Sequence, residues 1–134
     1  MKRKNRLYFV LKMISLLILF SSILPAQNIK INEILYDPEE NETSNEWIEL
    51  FNTDSVPINL ENWRIEWGGS SFSYRHFTIE ESITIEPNQF ILIGDTDVIN
   101  ADITASNLSF QNVTDETDGV RIISTNGDTI DTIL

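Results

Sequence analysis

From residue 29 onward the chain alternates apolar and polar residues with a period of two. The alternation is clearest in WIELFN, residues 47–52, where Glu49 separates Ile48 from Leu50. Successive side chains of a β-strand point to opposite faces of a sheet, so this pattern predicts half-buried strands. No segment shows a sustained apolar period of 3.6 residues with capping signals, and we therefore expect almost no helix.

Other segments with the same alternation are separated by turn residues. The predicted strands begin near Ile29, Trp47, Leu60, Phe72, Ile83, Phe90, Val120 and Thr129. Asn126-Gly127, before the last of them, is typical of a two-residue hairpin turn. About seven or eight short strands predict an all-β fold, an immunoglobulin-like antiparallel β-sandwich, with Trp63 and Ile65 in its core.

The N-terminal residues differ from the rest in composition. A basic start, KRKNR, precedes a short apolar segment with serines, and residues 24–26 form a cleavage site of the small-residue type, although Leu24 is larger than the usual residue at its position. This order predicts a signal-peptide helix over residues 1–26 and one exported domain over residues 27–134. An uncleaved membrane anchor is the alternative, but Lys12 shortens the apolar run below the about 20 residues that a spanning helix needs. We expect no membrane insertion after cleavage.

The charge of the exported part restricts its partners. Four basic residues stand against 21 acidic residues over 27–134, which gives a formal net charge of −17. Binding to nucleic acid or to anionic lipid depends on basic surfaces, so we expect neither partner. A protein or a surface glycan is the expected partner.

Cysteine is absent and His76 is the single histidine. Thiolate zinc sites and multi-histidine sites are therefore excluded, and we expect no cofactor. Two acidic loops contain the oxygen ligands that Ca²⁺ prefers, although neither has the EF-hand spacing. A calcium-stabilised adhesin domain therefore stays open as an alternative, with these candidate ligands: Asp95, Asp97, Asp115 and Asp118.

Several acidic side chains are candidates for catalysis. Glu46 and Glu49 flank an aromatic residue, but a strand sends them to opposite faces, whereas two carboxylates acting on one glycosidic bond must face each other. Glu33 continues the apolar face begun at Ile29 unless a bulge, indicated by Ile34, shifts the register. No Gly-x-Ser-x-Gly motif accompanies the histidine. We predict that the protein is not an enzyme; a hydrolase using Glu33, Glu49 or His76 is the alternative.

Aromatic residues supply the candidate interaction surface. Its predicted members are Trp47, Phe51, Trp67, Phe72 and Tyr74. Trp67, just before Gly68-Gly69, is a candidate to form with Phe72 and Tyr74 an exposed platform on which a sugar ring can stack. A carbohydrate-binding module is therefore a further alternative, and packing of these rings in the core is the competing interpretation.

The order of several short motifs resembles the lamin tail domain family in its secreted bacterial form. The matching pieces are INEI at 31–34, EWIEL at 46–50, NWRI at 62–65, Ile85 with Pro87, and DGVRI at 118–122, followed by Gly127-Asp128 and Asp131. The resemblance covers about residues 29–134 and implies an immunoglobulin-like sandwich without catalytic activity. In secreted bacterial proteins such a domain accompanies hydrolase, nuclease or other surface domains and is thought to help attachment or assembly.

Because a predicted signal peptide, and no coiled-coil rod, precedes the domain in this sequence, we expect that the protein is not a nuclear lamin. The predicted last strand reaches Leu134. Two alternatives are therefore open: a piece of a longer protein, in which the last strand is shortened, or a small stand-alone domain. The predicted function is a non-catalytic interaction or anchoring module, secreted or held at the bacterial surface, that serves attached or partner domains.

Overall fold

The computed structural model describes residues 28–38, 44–69, 72, 75–110 and 119–134. The predicted signal-peptide helix lies outside these residues, as do Tyr74, Asp115 and Asp118. The described residues contain strands, turns and loops and no α-helix. They accordingly include no helix with the length and apolar character needed to cross a membrane.

Within the described residues, ten strands make up two facing sheets and a small strand pair. Their bounds are β1 (Ile29–Leu35), β2 (Trp47–Asn52), β3 (Ile58–Asn59), β4 (Arg64–Trp67), β5 (Arg75–Thr78), β6 (Thr84–Ile85), β7 (Phe90–Gly94), β8 (Ile103–Thr104), β9 (Val120–Ile123) and β10 (Thr129–Ile133). The first sheet has the order β1-β2-β7-β8, the second sheet the order β10-β9-β4-β5, and β3 pairs with β6. The predicted all-β, immunoglobulin-like sandwich is confirmed.

The core lies between the two sheets and is built from alternate residues of each strand. Ile48 and Leu50 of β2 are fully buried, and so are Trp63 and Ile65 on the chain leading into and along β4. Burial of an aliphatic side chain contributes roughly 1.5–3 kcal/mol, so this apolar set supplies most of the stability of a domain without disulfides. The core prediction for Trp63 and Ile65 is confirmed.

A bulge in β1 decides where Glu33 points. Ile31 pairs with Leu50, whereas Glu33 pairs with Glu49, so the register shifts by one residue at Asn32. The extra residue turns Glu33 to the outside, where it is exposed. The bulge indicated by Ile34 in the sequence is therefore present, and Glu33 is not a buried carboxylate.

One strand pair departs from the predicted antiparallel arrangement. β8 lies in a connection that the sequence pattern predicts to be irregular, and it pairs parallel to β7 with Ile103 beside Ile93. Ile103 and Ala105 are buried. The first sheet is therefore mixed. The sequence pattern does not predict the parallel pair, because a strand of two residues is too short to show an alternation.

The hairpin between β9 and β10 follows its sequence signal. Gly127 has a φ of 86°, in the left-handed region that glycine adopts without strain. The Ser124 amide donates to the Asp128 carbonyl at 2.9 Å, which closes the turn. The predicted turn at Asn126-Gly127 is confirmed.

Asp131 of β10 closes one side of the sandwich. Its Oδ2 accepts a hydrogen bond from the Ile31 amide at 2.9 Å, and its Oδ1 lies 3.0 Å from the Lys30 ammonium. Partial burial by itself would raise the pKa of Asp131. The Ile31 amide, the Lys30 ammonium and the Thr132 amide together outweigh that effect and lower the pKa below its ordinary value of 3.8. The carboxylate thus joins the edge of the first sheet to the edge of the second.

We expect Asp131→Asn to lower the free energy of unfolding by about 1–2 kcal/mol at pH 7, because the amide replaces a charged acceptor by a weaker one. A lowered pKa means that the carboxylate stabilises the fold fully above its unfolded value and progressively less as pH falls through the lower folded value. The difference between wild type and variant should therefore shrink below about pH 4. Urea unfolding between pH 2 and 7 measures it, with Asp128→Asn as a control of equal charge change. A difference constant over that range would contradict the assignment.

Candidate interaction surface

The outer face of the first sheet presents aromatic and aliphatic side chains. In the β2–β7 register Phe51 lies opposite Phe90, and Glu49 lies opposite Leu92. Their neighbours along each strand are buried in the core, so these side chains point outward. We call the set Trp47, Phe51, Phe90 and Leu92 the aromatic face.

Phe51 and Phe90 form the centre of the aromatic face. Their rings stack with centroids 4.4 Å apart and an interplanar angle of 28°. Phe90 is 53% exposed, a large fraction for a phenylalanine, while Phe51 is half-buried beneath it. The pair therefore presents a preformed, rigid aromatic surface to solvent, because the stacking limits the rotation of both rings.

Asn52, at the end of β2, fixes the backbone next to the Phe51–Phe90 pair. Its side chain is fully buried, and its Nδ2 donates to the carbonyls of Val56 at 3.0 Å and Ile85 at 2.9 Å. Its Oδ1 accepts from the Asp54 amide at 2.8 Å. Its carbonyl accepts from the Asn88 amide at 3.0 Å, in the turn before β7. One amide side chain thus satisfies two backbone groups of the loop after β2 and one of β6.

The other end of the aromatic face is closed by the loop after β7. Trp47 lies opposite Gly94. A Cβ atom built on Gly94 would lie 2.5 Å from the Cβ of Val98, so Val98 packs directly on this glycine. The Val98 amide donates to the Asp95 carbonyl at 3.1 Å, which returns the chain over the sheet. Only a residue without a side chain fits at position 94.

Glu46 lies on the opposite side of β2 from Glu49, as the strand geometry predicts. It is buried, and its Oε2 accepts a hydrogen bond from the Phe110 amide. Its carbonyl accepts from the Asp95 amide at 2.9 Å. The carboxylate therefore connects segments 64 residues apart, a structural role that the sequence pattern does not reveal.

The residues of the hydrolase alternative are divided between the two sheets. Glu33 and Glu49 face each other across β1 and β2 on the open outer surface. The Asn32 Nδ2 donates to the Glu49 Oε1 at 2.6 Å. His76 lies on β5 of the second sheet. The structure thus brings the two carboxylates together on an exposed face and leaves the imidazole apart from them.

His76 lines a cleft of about 430 Å³ between β5 and β8, together with Ser106 and Glu80. A serine nucleophile requires a hydrogen bond of about 2.6–3.2 Å to its base. Among the described residues no hydrogen bond joins Ser106 to His76. The cleft therefore contains the residue types of a triad without its contacts.

Trp67 takes no part in the platform of the carbohydrate-binding alternative and lies in the core, as the competing interpretation expects. Trp67 is 2% exposed and makes an edge-to-face contact with Phe110, with centroids 5.8 Å apart. Phe72 is half-buried on the outer side of the second sheet, where the Arg121 guanidinium lies 4.8 Å from its centroid. Trp67 points inward because it shares a face with Ile65 of the same strand. It is therefore removed from the candidate surface, and Tyr74 lies outside the described residues.

The candidate calcium ligands are described in part. Asp95 is buried, and its Oδ1 accepts from the Thr96 amide at 2.6 Å, which forms a local turn. Asp97 is exposed. No three His, Asp or Glu side chains within the described ranges lie together in a way that could hold a metal ion. Asp115 and Asp118 lie outside those ranges, so the calcium prediction is untested.

Comparison with known families decides what kind of domain this is. The family model described as Lamin Tail Domain matches residues 24–133. The chain belongs to the lamin tail domain family. The family match covers both sheets and the aromatic face, and it confirms the resemblance found in the order of the sequence motifs. The comparison with curated proteins finds no significant match.

Two solved structures resemble this lamin tail domain weakly. The archaellum periplasmic stator protein FlaG from Sulfolobus acidocaldarius is 13% identical with a TM-score of 0.47, covering 80% of this chain and 97% of that one. A chain of the FlaF and FlaG stator complex from the same organism is 16% identical with a TM-score of 0.43, covering 84% and 92%. Likenesses at this level support no conclusion about function.

Proposed function

We propose that this lamin tail domain is a non-catalytic interaction module that is exported to the cell surface and binds a protein partner through the aromatic face. The observation that supports the proposal most is the stacked Phe51–Phe90 pair, with Phe90 more than half exposed. Aromatic side chains at the centre of a patch supply much of the binding energy of protein interfaces. A domain serving attached or partner domains needs such a surface and no reaction centre.

The electrostatics around the aromatic face favour a partner with basic groups at the contact rim. Glu49 lies between the aromatic residues, and Glu33 faces it from β1. Lys30 stands at the same edge but is paired with Asp131 at 3.0 Å. Complementary charge at a rim increases the association rate and the specificity of binding more than the affinity.

Export is proposed from the sequence of the first 26 residues, with their basic start and short apolar segment. The cysteine-free composition is compatible with any redox compartment, and the net charge of −17 over residues 27–134 favours solubility. The proposed partner is a protein. A surface glycan is the alternative, because exposed aromatics bind both, and the experiment below distinguishes them.

Phe90→Ala is expected to weaken binding of the fluorescently labelled full chain to intact cells of the producing organism by about 10- to 30-fold, the loss of one aromatic hot spot. Binding isotherms by flow cytometry measure the effect. Ile99→Ala is the matched control, because Ile99 is 83% exposed and lies in the loop between β7 and β8, away from the aromatic pair.

Cells treated with protease before labelling should lose binding if the partner is a protein. Cells treated with periodate should lose it if the partner is a glycan, which would replace the protein by a carbohydrate in the proposal. Equal binding of wild type and Phe90→Ala would remove the aromatic face as the contact surface. Hydrolysis of a surface polymer by the purified chain, abolished by Glu49→Gln, would contradict the non-catalytic assignment.

A further inference from the structure

β5 forms the outer edge of the second sheet, and within the described residues it pairs on one side only, with β4. The cleft of about 430 Å³ separates it from β8. Soluble proteins protect exposed strand edges with bulges, prolines, lysines or very short strands. β1 has a bulge and Lys30, and β8 has two residues. β5 contains no proline and pairs with β4 without a register shift from Arg75 to Thr78.

The hydrogen bonds at Ile79 show which backbone groups of β5 face the cleft. The Ile79 amide donates to the Trp63 carbonyl at 2.9 Å, and the Ile79 carbonyl accepts from the Asn62 amide at 2.7 Å. Both groups of Ile79 therefore face β4. Since consecutive residues of a strand direct their backbone groups to opposite sides, His76 and Thr78 direct theirs away from β4.

The same alternation follows independently from the other side of β4. The Gly68 amide donates to the Gly119 carbonyl at 3.1 Å, so Gly68 faces β9. Glu66 then also faces β9, whereas Ile65 faces β5, where its register partner is Phe77. The free edge of β5 thus has donors and acceptors at residues 76 and 78, and the alternation continues to residue 80.

The sequence along this edge is complementary to itself when reversed. The segment reads RHFTIEE over residues 75–81, with a basic end, an apolar and hydroxyl centre and an acidic end. Arg75 is one of only four basic residues in 27–134, and Glu80 and Glu81 are both exposed at the cleft. An antiparallel neighbour with the same sequence would bring opposite charges together at both ends.

We infer that β5 pairs antiparallel with β5 of a second copy of this chain, about a two-fold axis at Thr78. In that register Thr78 hydrogen-bonds to its own symmetry mate, and His76 exchanges backbone hydrogen bonds with the partner's Glu80. These are the residues whose backbone groups point outward, so the register uses the available donors and acceptors. The two second sheets join into one sheet of eight strands.

The side chains agree with the same register. Arg75 lies opposite the partner's Glu81 at a non-hydrogen-bonded position, where cross-strand side chains come closest. Phe77 lies opposite the partner's Ile79, an apolar pair, and both residues point toward the core side of the sheet. The two-fold axis repeats each contact, which is the property of an isologous interface.

Charge argues for a second copy over an unrelated strand. Two chains of strongly negative net charge repel at long range, but at physiological ionic strength the Debye length is about 8 Å, so contacting pairs dominate at short range. A foreign strand would need its acidic and basic ends in this same order to match. Each copy of this chain has that order.

In the test, the full chain is expressed and the protein purified after export is studied by sedimentation equilibrium, from about 1 µM to 1 mM protein in about 0.15 M salt. We expect a reversible dimer with a dissociation constant on the order of 0.1 mM, because a short strand edge buries little surface. Arg75→Glu and Glu81→Lys should each weaken dimerisation at least about tenfold, because each places like charges opposite one another twice.

An equimolar mixture of Arg75→Glu and Glu81→Lys should restore the dimer, because both cross-strand pairs then join opposite charges. Glu86→Lys is the control for net charge, since Glu86 is exposed away from the edge. Because Arg75 has other contacts within the chain, circular dichroism checks the folding of its variant. His76→Glu tests the register without Arg75: alone it places two carboxylates opposite one another twice and should weaken the dimer, and mixing it with Glu80→Lys should restore the dimer.

Thr78→Pro should abolish the dimer while leaving β4 paired, because the lost amide is the one at the two-fold axis. Three results would each overturn the inference: a wild-type monomer at 1 mM, a dimer unaffected by these variants, or a mixture that stays monomeric. A monomer that captures a synthetic RHFTIEE peptide without self-association would also overturn it.

Discussion

Asn52→Asp should lower the free energy of unfolding by about 4 kcal/mol, close to half the stability of an ordinary domain. The buried side chain donates to the carbonyls of Val56 and Ile85. An aspartate cannot donate to either, and its charge would lie beside two carbonyl oxygens without a compensating cation. Urea or guanidinium denaturation followed by tryptophan fluorescence measures the change.

Asn59→Asp is the matched control for this substitution. The Asn59 Oδ1 accepts from the Glu61 amide at 2.9 Å, just as the Asn52 Oδ1 accepts from the Asp54 amide two residues on. Asn59 is exposed, however, and water can replace the bond that its Nδ2 makes to Ser82. We expect a change below about 1 kcal/mol there. Similar effects at both sites would show that the carbonyls around Asn52 do not depend on its amide.

Local pattern was sufficient to predict the strands that have one buried and one open face. β2 has the bounds predicted for it because Ile48 and Leu50 alternate with side chains of the opposite face. The bulge in β1 could also be predicted, since Ile34 is out of phase with Ile29 and Ile31. In both strands the apolar period itself contains the information, because burial on one face determines the register.

Elements that depend on distant parts of the chain could not be predicted in this way. β8 exists because the Asp102 amide donates to the Leu92 carbonyl at 2.8 Å and the Asp102 carboxylate accepts from the Leu92 amide at 2.8 Å. Asp131 acts on a strand edge 100 residues earlier in the chain. Neither contact leaves a periodic signal in the sequence. The pattern of neighbouring residues therefore predicts neither of them.

The aromatic residues show the same division. The glycines after Trp67 suggested an exposed end of a strand, but its alternation with Ile65 placed its ring in the core. Phe90 was not among the predicted surface residues, although segment 90–93 is apolar on both faces, and that absence of alternation was the available signal. An apolar outer face indicates either cover by another element or a contact surface. In the described structure Phe90 is uncovered, so the aromatic face is a candidate contact surface.

Trp63→Ala should lower the free energy of unfolding by about 3–5 kcal/mol, because removal of a fully buried indole leaves a cavity between the two sheets. For a domain of this size the loss corresponds to a decrease in Tm of roughly 15–30 °C. The backbone at this position is unaffected by the substitution, since the Trp63 amide bonds to the Leu60 carbonyl and its carbonyl to the Ile79 amide. Differential scanning calorimetry measures the change.

Phe90→Ala removes an exposed aromatic ring instead of a buried one, so its comparison with Trp63→Ala separates stability from function. It loses one stacked contact and should cost about 1 kcal/mol or less of folding free energy while it weakens cell binding. Trp63→Ala should bind normally at temperatures where it is still folded, because Trp63 contributes nothing to the outer face. If Phe90→Ala instead destabilised the domain as much as Trp63→Ala, the aromatic face would be part of the folding core. Its exposure would then be no argument for a partner.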